Sequence, residues 1–308
     1  MKEIGYHIPV LLKQSVEGLN INPEGIYVDV TFGGGGHSKE ILKKLTTGKL
    51  IAFDQDEDAK KNAEKIISNN DYKDKFIFFQ GNFKHISNFL RYAGYSKVDG
   101  ILADLGVSSH QFDVAERGFA FRLGGIPDMR MNKNAKQSSL DILNNYSEDD
   151  LVKMFRNFGE LKSANKLSSA IVSFREETQI KDLEQLNLII NQTIKTNKDY
   201  KILAKVYQAL RIETNKELEV LEKFLIQSPK LLKKGGRLVV ISYHSLEDRP
   251  VKSFIKFNNF ENKSITDVFG RQKLEFKEIT KKPIVPNEEE IERNNRARSA
   301  KLRIAEKI

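Results

Sequence analysis

The sequence predicts an α/β protein with a parallel, doubly wound sheet and a helical segment inserted into it. Apolar and β-branched runs alternate with amphipathic helical patterns through the first hundred or so residues. Between residues 110 and 212 only helical periodicity is found, and the alternation then resumes. Because alternating strands and helices are typical of a doubly wound sheet, we predict one α/β domain from residues 1–109 and 213–308. Residues 110–212 form the predicted helical insert.

Composition narrows the class of protein. The chain has 308 residues and no cysteine, which excludes disulfides, thiolate zinc sites and cysteine nucleophiles for these residues. With only five histidines as well, no metal site is predicted. Lys and Arg number 51 against 42 acids, a net charge of +9 that favours a polyanionic partner. No apolar run is long enough for a membrane span and no export signal is recognised, so we expect a cytoplasmic protein without membrane contact.

The first strand leads into a glycine loop. Residues 27–31 suit a buried strand, residues 33–36 are four consecutive glycines, and the helix that follows places Ile41, Leu42 and Leu45 on one face. Glycines permit positive φ and carry no Cβ, so a nucleotide-like cofactor can approach the backbone near the helix N-terminus. The dinucleotide pattern lacks its third glycine, where Ser38 stands, and the phosphate-loop lysine is absent. The loop therefore predicts a cofactor but leaves its type open.

Three further strands each lead to a candidate site residue. Residues 49–54 end on Asp54, about twenty residues after the first glycine, the spacing at which an acid reaches a bound ribose. After the strand at 76–79, Phe83 is placed either to flank a cofactor base or to fill the core. The strand at 98–104 ends on Asp104. Because ligands of open parallel sheets lie beyond the carboxyl ends of the strands, these residues are expected to share one crevice.

The insert and the chain after it contain further predicted elements. Helical patterns cover residues 140–143, 151–155, 161–174, 183–194 and 203–212, and the aromatic residues of 119–131 predict an ordered loop. A helix near 218–225 and a glycine turn precede a fifth strand, whose exit carries the polar cluster 243–249. We expect Pro250 to open the next helix, and strands near 274–279 and 301–305. Residues 293–299 are predicted to be a basic, uncapped loop, either solvated or in contact with phosphate.

Several longer motifs together carry a resemblance to a known family. They are residues 7–11 (HIPVL), 29–38 (DVTFGGGGHS), 99–109 (DGILADLGVSS), 116–119 (ERGF), 127–131 (PDMRM), 207–212 (YQALRI), 245–249 (SLEDR) and 296–299 (RARS). Together they closely resemble the RsmH (MraW) family of bacterial methyltransferases of small-subunit ribosomal RNA. The resemblance extends from residue 7 to about residue 306.

The resemblance implies an activity, a fold and a set of site residues. The activity is methyl transfer from S-adenosylmethionine to the exocyclic N4 of a cytidine in the decoding region of 16S rRNA, as naked RNA or within the small ribosomal subunit. The fold is the class I (Rossmann-like) methyltransferase fold with one antiparallel strand and an inserted all-helical domain. The implied cofactor-binding residues are Gly35, Gly36, His37, Asp54, Phe83, Asp104 and Gln111.

Asp104 is also the candidate catalytic residue. Its carboxyl group would contact the cofactor, the amino group of the substrate, or both. Related amino-methyltransferases place an Asp or Asn before two prolines at this point, whereas this chain continues with Leu105 and Gly106. Two smaller departures are Gly34, where relatives often carry a polar residue, and residues 159–162, where many have a second acid. Neither departure removes a site residue.

Two other classes of protein remain as alternatives at this stage. An NAD-dependent oxidoreductase would share the first strands, but the third glycine and an obvious hydride-transfer pair are missing. A non-catalytic RNA-binding protein would explain the charge but not the glycine loop.

The helical insert is predicted to recognise the substrate, because a methyltransferase core does not need residues 110–212 to bind its cofactor. Positive charge on the insert is supplied by Lys153, Arg156, Lys162, Lys166 and Arg175.

Overall fold

The computed structural model describes residues 9–195, 199–266, 270 and 274–308. His7 and Ile8 of the first motif lie outside these residues. The chain forms two compact units: Met1–Gly106 with Leu218–Ile308, here called the sheet unit, and Val107–Glu217, here called the helical unit. Within the residues described, no helix is long and apolar enough to cross a membrane.

The sheet unit contains a seven-stranded sheet in the order β3-β2-β1-β4-β5-β7-β6. Strands β1 to β5 pair in parallel, and β7 is antiparallel to both of its neighbours, β5 and β6. The strands are β1 Ile26–Asp29, β2 Lys49–Asp54, β3 Phe76–Gln80, β4 Val98–Asp104, β5 Leu232–Ser242, β6 Phe276–Glu278 and β7 Lys301–Lys307. The strand order reverses between β1 and β4, and a ligand crevice is expected beyond the carboxyl ends of such strands.

Helices join these strands and build the helical unit. They are α1 Leu12–Gly18, α2 Gly36–Lys44, α3 Glu57–Ile67, α4 Ile86–Tyr92, α5 Ser109–Asp113, α6 Ser139–Asn145, α7 Glu148–Gly159, α8 Ala164–Glu177, α9 Leu183–Thr193, α10 Asp199–Asn215, α11 Glu217–Leu231, α12 Ser245–Phe257 and α13 Glu288–Arg293. The predicted alternation of strands and helices and the helical character of the insert are thus found in the structure.

The central strands are buried on both faces. Along β2, Leu50 and Ala52 belong to one apolar cluster and Ile51 and Phe53 to the other. Successive side chains of a strand point to opposite faces. A parallel sheet covered by helices on both sides therefore requires the continuous apolar runs seen in the sequence.

The helical unit has a separate core, to which the loop at residues 119–131 contributes. Phe119, Met129 and Met131 are buried in the same cluster as Phe155 and Leu210. The loop is also tied to the helices by hydrogen bonds, since Asn187 on α9 donates to the carbonyl of Phe121 at 3.1 Å. The prediction of an ordered loop is therefore confirmed.

Two local predictions were wrong. Pro250 does not open its helix but lies inside α12, which begins at Ser245. The Glu247 carboxylate accepts the N–H of Tyr243 at 2.8 Å and of His244 at 3.4 Å, which starts the helix before the proline. The polar cluster 243–249 therefore belongs largely to a helical first turn. Residues 295–299 form a 3-10 helix rather than an uncapped loop, because the Asn294 side chain accepts the Arg296 N–H at 3.1 Å.

Candidate active site

The glycine loop between β1 and α2 has structural reasons for its composition. Gly33 and Gly35 have positive φ, 51° and 75°. A Cβ on Gly35 would lie 2.8 Å from the Phe32 ring, and one on Gly36 would lie 2.1 Å from Pro9 Cγ. A Cβ on Gly34 would meet nothing within 4 Å. The loop therefore requires glycine at three positions, whereas the Gly34 departure from the family pattern changes nothing in its packing.

Asp54, at the end of β2, holds this loop. Its carboxyl group accepts the Gly33 N–H at 2.7 Å and the Asp56 N–H at 2.9 Å. Burial raises the pKa of Asp54 to about 6, although both hydrogen bonds oppose that rise. Each carboxylate oxygen has two lone pairs, so Asp54 retains acceptor capacity for a ribose hydroxyl while it holds Gly33.

Asp29, at the end of β1, is a candidate site residue that the sequence analysis did not single out. It is 1% exposed and accepts a hydrogen bond from Ser38 Oγ on α2 at 2.7 Å. Its other oxygen accepts the Thr31 N–H at 3.1 Å. Burial raises the pKa of Asp29 to about 6. An acid within an otherwise apolar strand was the available signal, because such an acid needs a partner when buried.

Asp104, at the end of β4, is connected to the same edge of the sheet. Its backbone N–H donates to Thr31 Oγ1 at 2.6 Å, and its Oδ1 accepts the Tyr243 hydroxyl at 2.7 Å. Burial raises the pKa of Asp104 to about 7, and the charges of Asp29 and Glu247 add to this rise, whereas the Tyr243 hydrogen bond lowers it. A carboxyl group with a pKa near neutrality is typical of functional sites.

His37, in the first turn of α2, lies beside Asp104. Its Nδ1 is 3.8 Å from Asp104 Oδ2, which is too long for a hydrogen bond. Its Nε2 is 3.2 Å from the Val10 carbonyl oxygen. Because a carbonyl oxygen only accepts, Nε2 is the donor in this contact. His37 therefore links the glycine-loop helix to the N-terminal segment and is placed next to the carboxyl group of Asp104.

The last two sequence-predicted residues have structural roles of their own. Phe83 lies in a 3-10 turn after β3, and its ring packs edge-on against Phe224 with 5.5 Å between centroids. Gln111 belongs to the helical unit, where its Oε1 accepts the Ser108 N–H at 3.0 Å in a capping box. Phe83 therefore has a role in core packing and Gln111 a role in capping α5. Contacts of these two residues with the cofactor stay predictions.

The sheet edge thus combines a glycine loop at a helix N-terminus with buried acids after β1, β2 and β4. Together with a sheet whose seventh strand is antiparallel and inserted between β5 and β6, this arrangement defines the class I S-adenosylmethionine-dependent methyltransferase fold. The helical unit is the inserted domain of this fold.

The chain belongs to the MraW methylase family, whose family model matches residues 5–308. It is 54% identical over 306 residues to ribosomal RNA small subunit methyltransferase H of Bacteroides thetaiotaomicron, covering 99% of this chain and 98% of the relative. It is 52% identical over 304 residues to the protein of the same name from Christiangramia forsetii, covering 98% of each. A solved rRNA methylase from Streptococcus thermophilus aligns over 98% of this chain and 99% of its own, with 14% identity and a TM-score of 0.40.

Proposed function

We propose that the protein transfers a methyl group from S-adenosylmethionine to the exocyclic N4 of a cytidine in the decoding region of 16S rRNA, in the cytoplasm. Its relatives are named as methyltransferases of small-subunit ribosomal RNA. The observation that carries the chemistry is Asp104, a partly buried carboxyl group with a pKa raised to about 7. This acid ends the strand beside the glycine loop.

S-adenosylmethionine, when bound, supplies an electrophilic methyl group on a cationic sulfonium. The site suits such a molecule in its donor and acceptor chemistry. Glycines give access to the backbone at the N-terminus of α2, and Asp54 has acceptor capacity left for ribose hydroxyls. Asp104 offers a negative charge that favours a cationic ligand over its neutral product.

A cytosine amino group is a weak nucleophile because its lone pair is delocalised into the ring. An acceptor for the amino hydrogens localises that lone pair and aims the nitrogen at the methyl donor. The ionised carboxylate of Asp104 is such an acceptor. When the new C–N bond forms and the S–C bond breaks, the nitrogen must also lose a proton, and a carboxylate whose conjugate acid has a pKa near 7 is able to take it.

The substrate class is inferred from charge and from the named relatives. The net charge of +9 favours a polyanion such as RNA. Nitrogen is favoured over the ring carbon C5 as the methylated atom, since this chain has no cysteine for covalent addition to the base.

The test is a methylation assay with nucleoside identification. The purified protein is incubated with S-adenosylmethionine carrying an isotopically labelled methyl group and either naked 16S rRNA or small subunits that lack decoding-region modification. We expect labelled N4-methylcytidine after nuclease digestion and mass spectrometry, and a loss of at least a hundredfold in rate for Asp104→Asn. The label in 5-methylcytidine or in a ribose methyl group would refute the assignment. Calorimetric titration with NAD in parallel should show no binding.

A further inference from the structure

Tyr243 immediately follows β5. It belongs to the polar cluster 243–249 but is not among the predicted site residues. Its hydroxyl donates to Asp104 Oδ1 at 2.7 Å, across 139 positions of sequence. Burial and the nearby negative charge of Asp104 raise the pKa of Tyr243 well above its ordinary value, so the phenol keeps its proton. Tyr243 is therefore a permanent hydrogen-bond donor to this carboxyl group.

Both partners of this hydrogen bond are held by their backbones. The Tyr243 N–H donates to Glu247 Oε2 at 2.8 Å, which ties the end of β5 to the first turn of α12. The Asp104 N–H donates to Thr31 Oγ1 at 2.6 Å. These bonds fix the backbone positions from which the hydroxyl and the carboxyl group meet, which favours preorganisation of the pair.

The hydrogen bond distinguishes the two oxygens of Asp104. Oδ1 is used by Tyr243, and Oδ2 faces His37 Nδ1 at 3.8 Å. Among the described residues, no hydrogen bond reaches Oδ2. It is therefore the oxygen with its lone pairs available to an incoming group.

We propose that Tyr243 is a positioning residue for methyl transfer, which anchors Oδ1 of Asp104 so that Oδ2 meets the amino group of the substrate. The proposal rests on the function assigned above.

The hydrogen bond from Tyr243 also affects the ionisation of Asp104. Burial together with the charges of Asp29 and Glu247 raises the pKa of Asp104, and the Tyr243 hydrogen bond opposes that rise. Other groups that face this pair are His37 on α2, next to Asp104, and Glu290 on α13, whose charge acts on Tyr243.

The test is Tyr243→Phe, which removes the hydroxyl and keeps the ring. The acid limb of kcat/KM for S-adenosylmethionine, which reports the free enzyme, should move upward by roughly one pH unit. At pH 7 we expect kcat to fall about five- to tenfold, and raising the pH to 9 should restore most of it. A merely structural loss would lower the rate at every pH. Tyr92→Phe, at a residue that is 85% exposed, is the matched control and should leave the profile unchanged.

A second measurement needs no substrate and separates this proposal from the assigned function. With ¹³C-labelled aspartate, the Asp104 carboxyl resonance is identified by its loss in Asp104→Asn and titrated between pH 5 and 9. Its apparent pKa should rise in Tyr243→Phe and fall when 3-fluorotyrosine, a stronger donor, replaces Tyr243. Equal titration in all three proteins would overturn the proposal even if rRNA methylation were established. Shifted titration without any methylation of RNA would establish that Tyr243 anchors Asp104 and would refute the assigned function.

Discussion

At the scale of single residues, the candidate site concentrates carboxyl groups where water is scarce. Burial raises the pKa of Asp29 to about 6, of Asp54 to about 6 and of Asp104 to about 7. Each acid is hydrogen-bonded, yet desolvation outweighs those bonds in all three. The folded protein therefore loses stability when these groups ionise, a cost that proteins commonly carry at functional sites.

The first prediction concerns Asp29 and the pH dependence of stability. Its pKa is higher in the folded protein, about 6, than its ordinary value of 3.8, so the folded state binds the proton more tightly. Its contribution to stability is therefore fully present below pH 4 and is lost as the pH rises through about 6. The free energy of unfolding of the parent, relative to Asp29→Asn, should fall by up to ~3 kcal/mol across this range.

Urea unfolding of both proteins at several pH values between 4 and 7.5 measures this difference. Asparagine is suitable because its amide can still bond to Ser38 and Thr31, the two partners of Asp29. The charge of Asp29 also raises the pKa of Asp54 and Asp104, so the remaining pH dependence of the variant should be shallower. Parallel curves for parent and variant would contradict the assignment.

The second prediction concerns Asp54 as a ribose acceptor. Asp54→Ala should weaken binding of S-adenosylmethionine by about 1 to 3 kcal/mol, because a charge-assisted hydrogen bond is lost. The same change also removes the acceptor for the Gly33 N–H. Calorimetry with S-adenosylhomocysteine and its 2′,3′-dideoxy analogue separates the two effects. Removing the ribose hydroxyls should weaken binding to the parent but not to the variant, and an equal loss in both would assign Asp54 to the loop alone.

At the scale of elements, two arginines that are buried or partly buried connect separate parts of the chain. Arg303 on β7 binds Asp248 on α12 through two hydrogen bonds of 2.7 and 3.1 Å. Arg175 on α8 donates to the Leu143 carbonyl at 2.7 Å and to the Tyr146 carbonyl, at the C-terminal end of α6. The guanidinium of Arg175 is thus engaged at the end of a helix, and its contribution of positive charge for the substrate stays a prediction.

The third prediction concerns the arginines near the C-terminus, Arg293, Arg296 and Arg298, which are all exposed. Ala297, between Arg296 and Arg298, and Ala300, directly after the 3-10 helix, are buried and hold this helix in place. If the three arginines contact phosphates, replacing them with Gln should weaken RNA binding and reduce the slope of log affinity against log salt by up to about three. Affinity for S-adenosylmethionine should stay within about twofold of the parent.

Filter binding or fluorescence anisotropy over a series of salt concentrations gives this slope. The control replaces the exposed Lys60, Lys61 and Lys65 of α3 with Gln, an identical change in net charge elsewhere on the sheet unit. Equal losses in the two triple variants would point to overall charge, and an unchanged slope would show that the arginines do not contact phosphates.

At the scale of the whole molecule, the chain devotes Val107–Glu217 to a unit with its own core. A class I methyltransferase core does not need such a unit to bind its cofactor. We propose that the helical unit recognises structured RNA, which requires a shaped surface as well as charge. Lys153, Arg156, Lys162 and Lys166 are exposed cations on this unit.

The fourth prediction follows from this division. Replacing residues 107–217 with a short Gly/Ser linker should leave a folded sheet unit that binds S-adenosylmethionine within about tenfold of the parent, or ~1.4 kcal/mol. It should show no measurable methyl transfer to RNA. The boundaries matter because a cut within the unit would expose Phe119 and Met129, which are buried in its core.

Gln111→Ala in the full chain accompanies this experiment, since Gln111 lies in the removed segment and is a predicted cofactor contact. Cofactor affinity is measured by calorimetry and transfer by incorporation of labelled methyl groups. Transfer by the shortened protein at near the parent rate would show that the helical unit has another purpose.

The sequence by itself determined the order of strands and helices, the family and the position of Asp54 and Asp104 at strand ends. Periodicity reports which faces are buried, and the carboxyl ends of neighbouring parallel strands must lie at one edge of the sheet. These properties depend on residues close together in the chain, so local patterns are enough to reveal them.

Only the tertiary structure decided which partners the polar groups have. The bond of Tyr243 to Asp104 joins residues 139 positions apart, and the contact of Arg175 with Leu143 joins residues 32 apart. Nothing in the local pattern distinguishes a partly buried arginine that caps a helix from an exposed arginine that is free to contact a phosphate. That distinction depends on which hydrogen-bond acceptors the fold brings within reach and on how much water it removes. A polar group loses its hydration on burial, so it needs a hydrogen-bond partner within the protein.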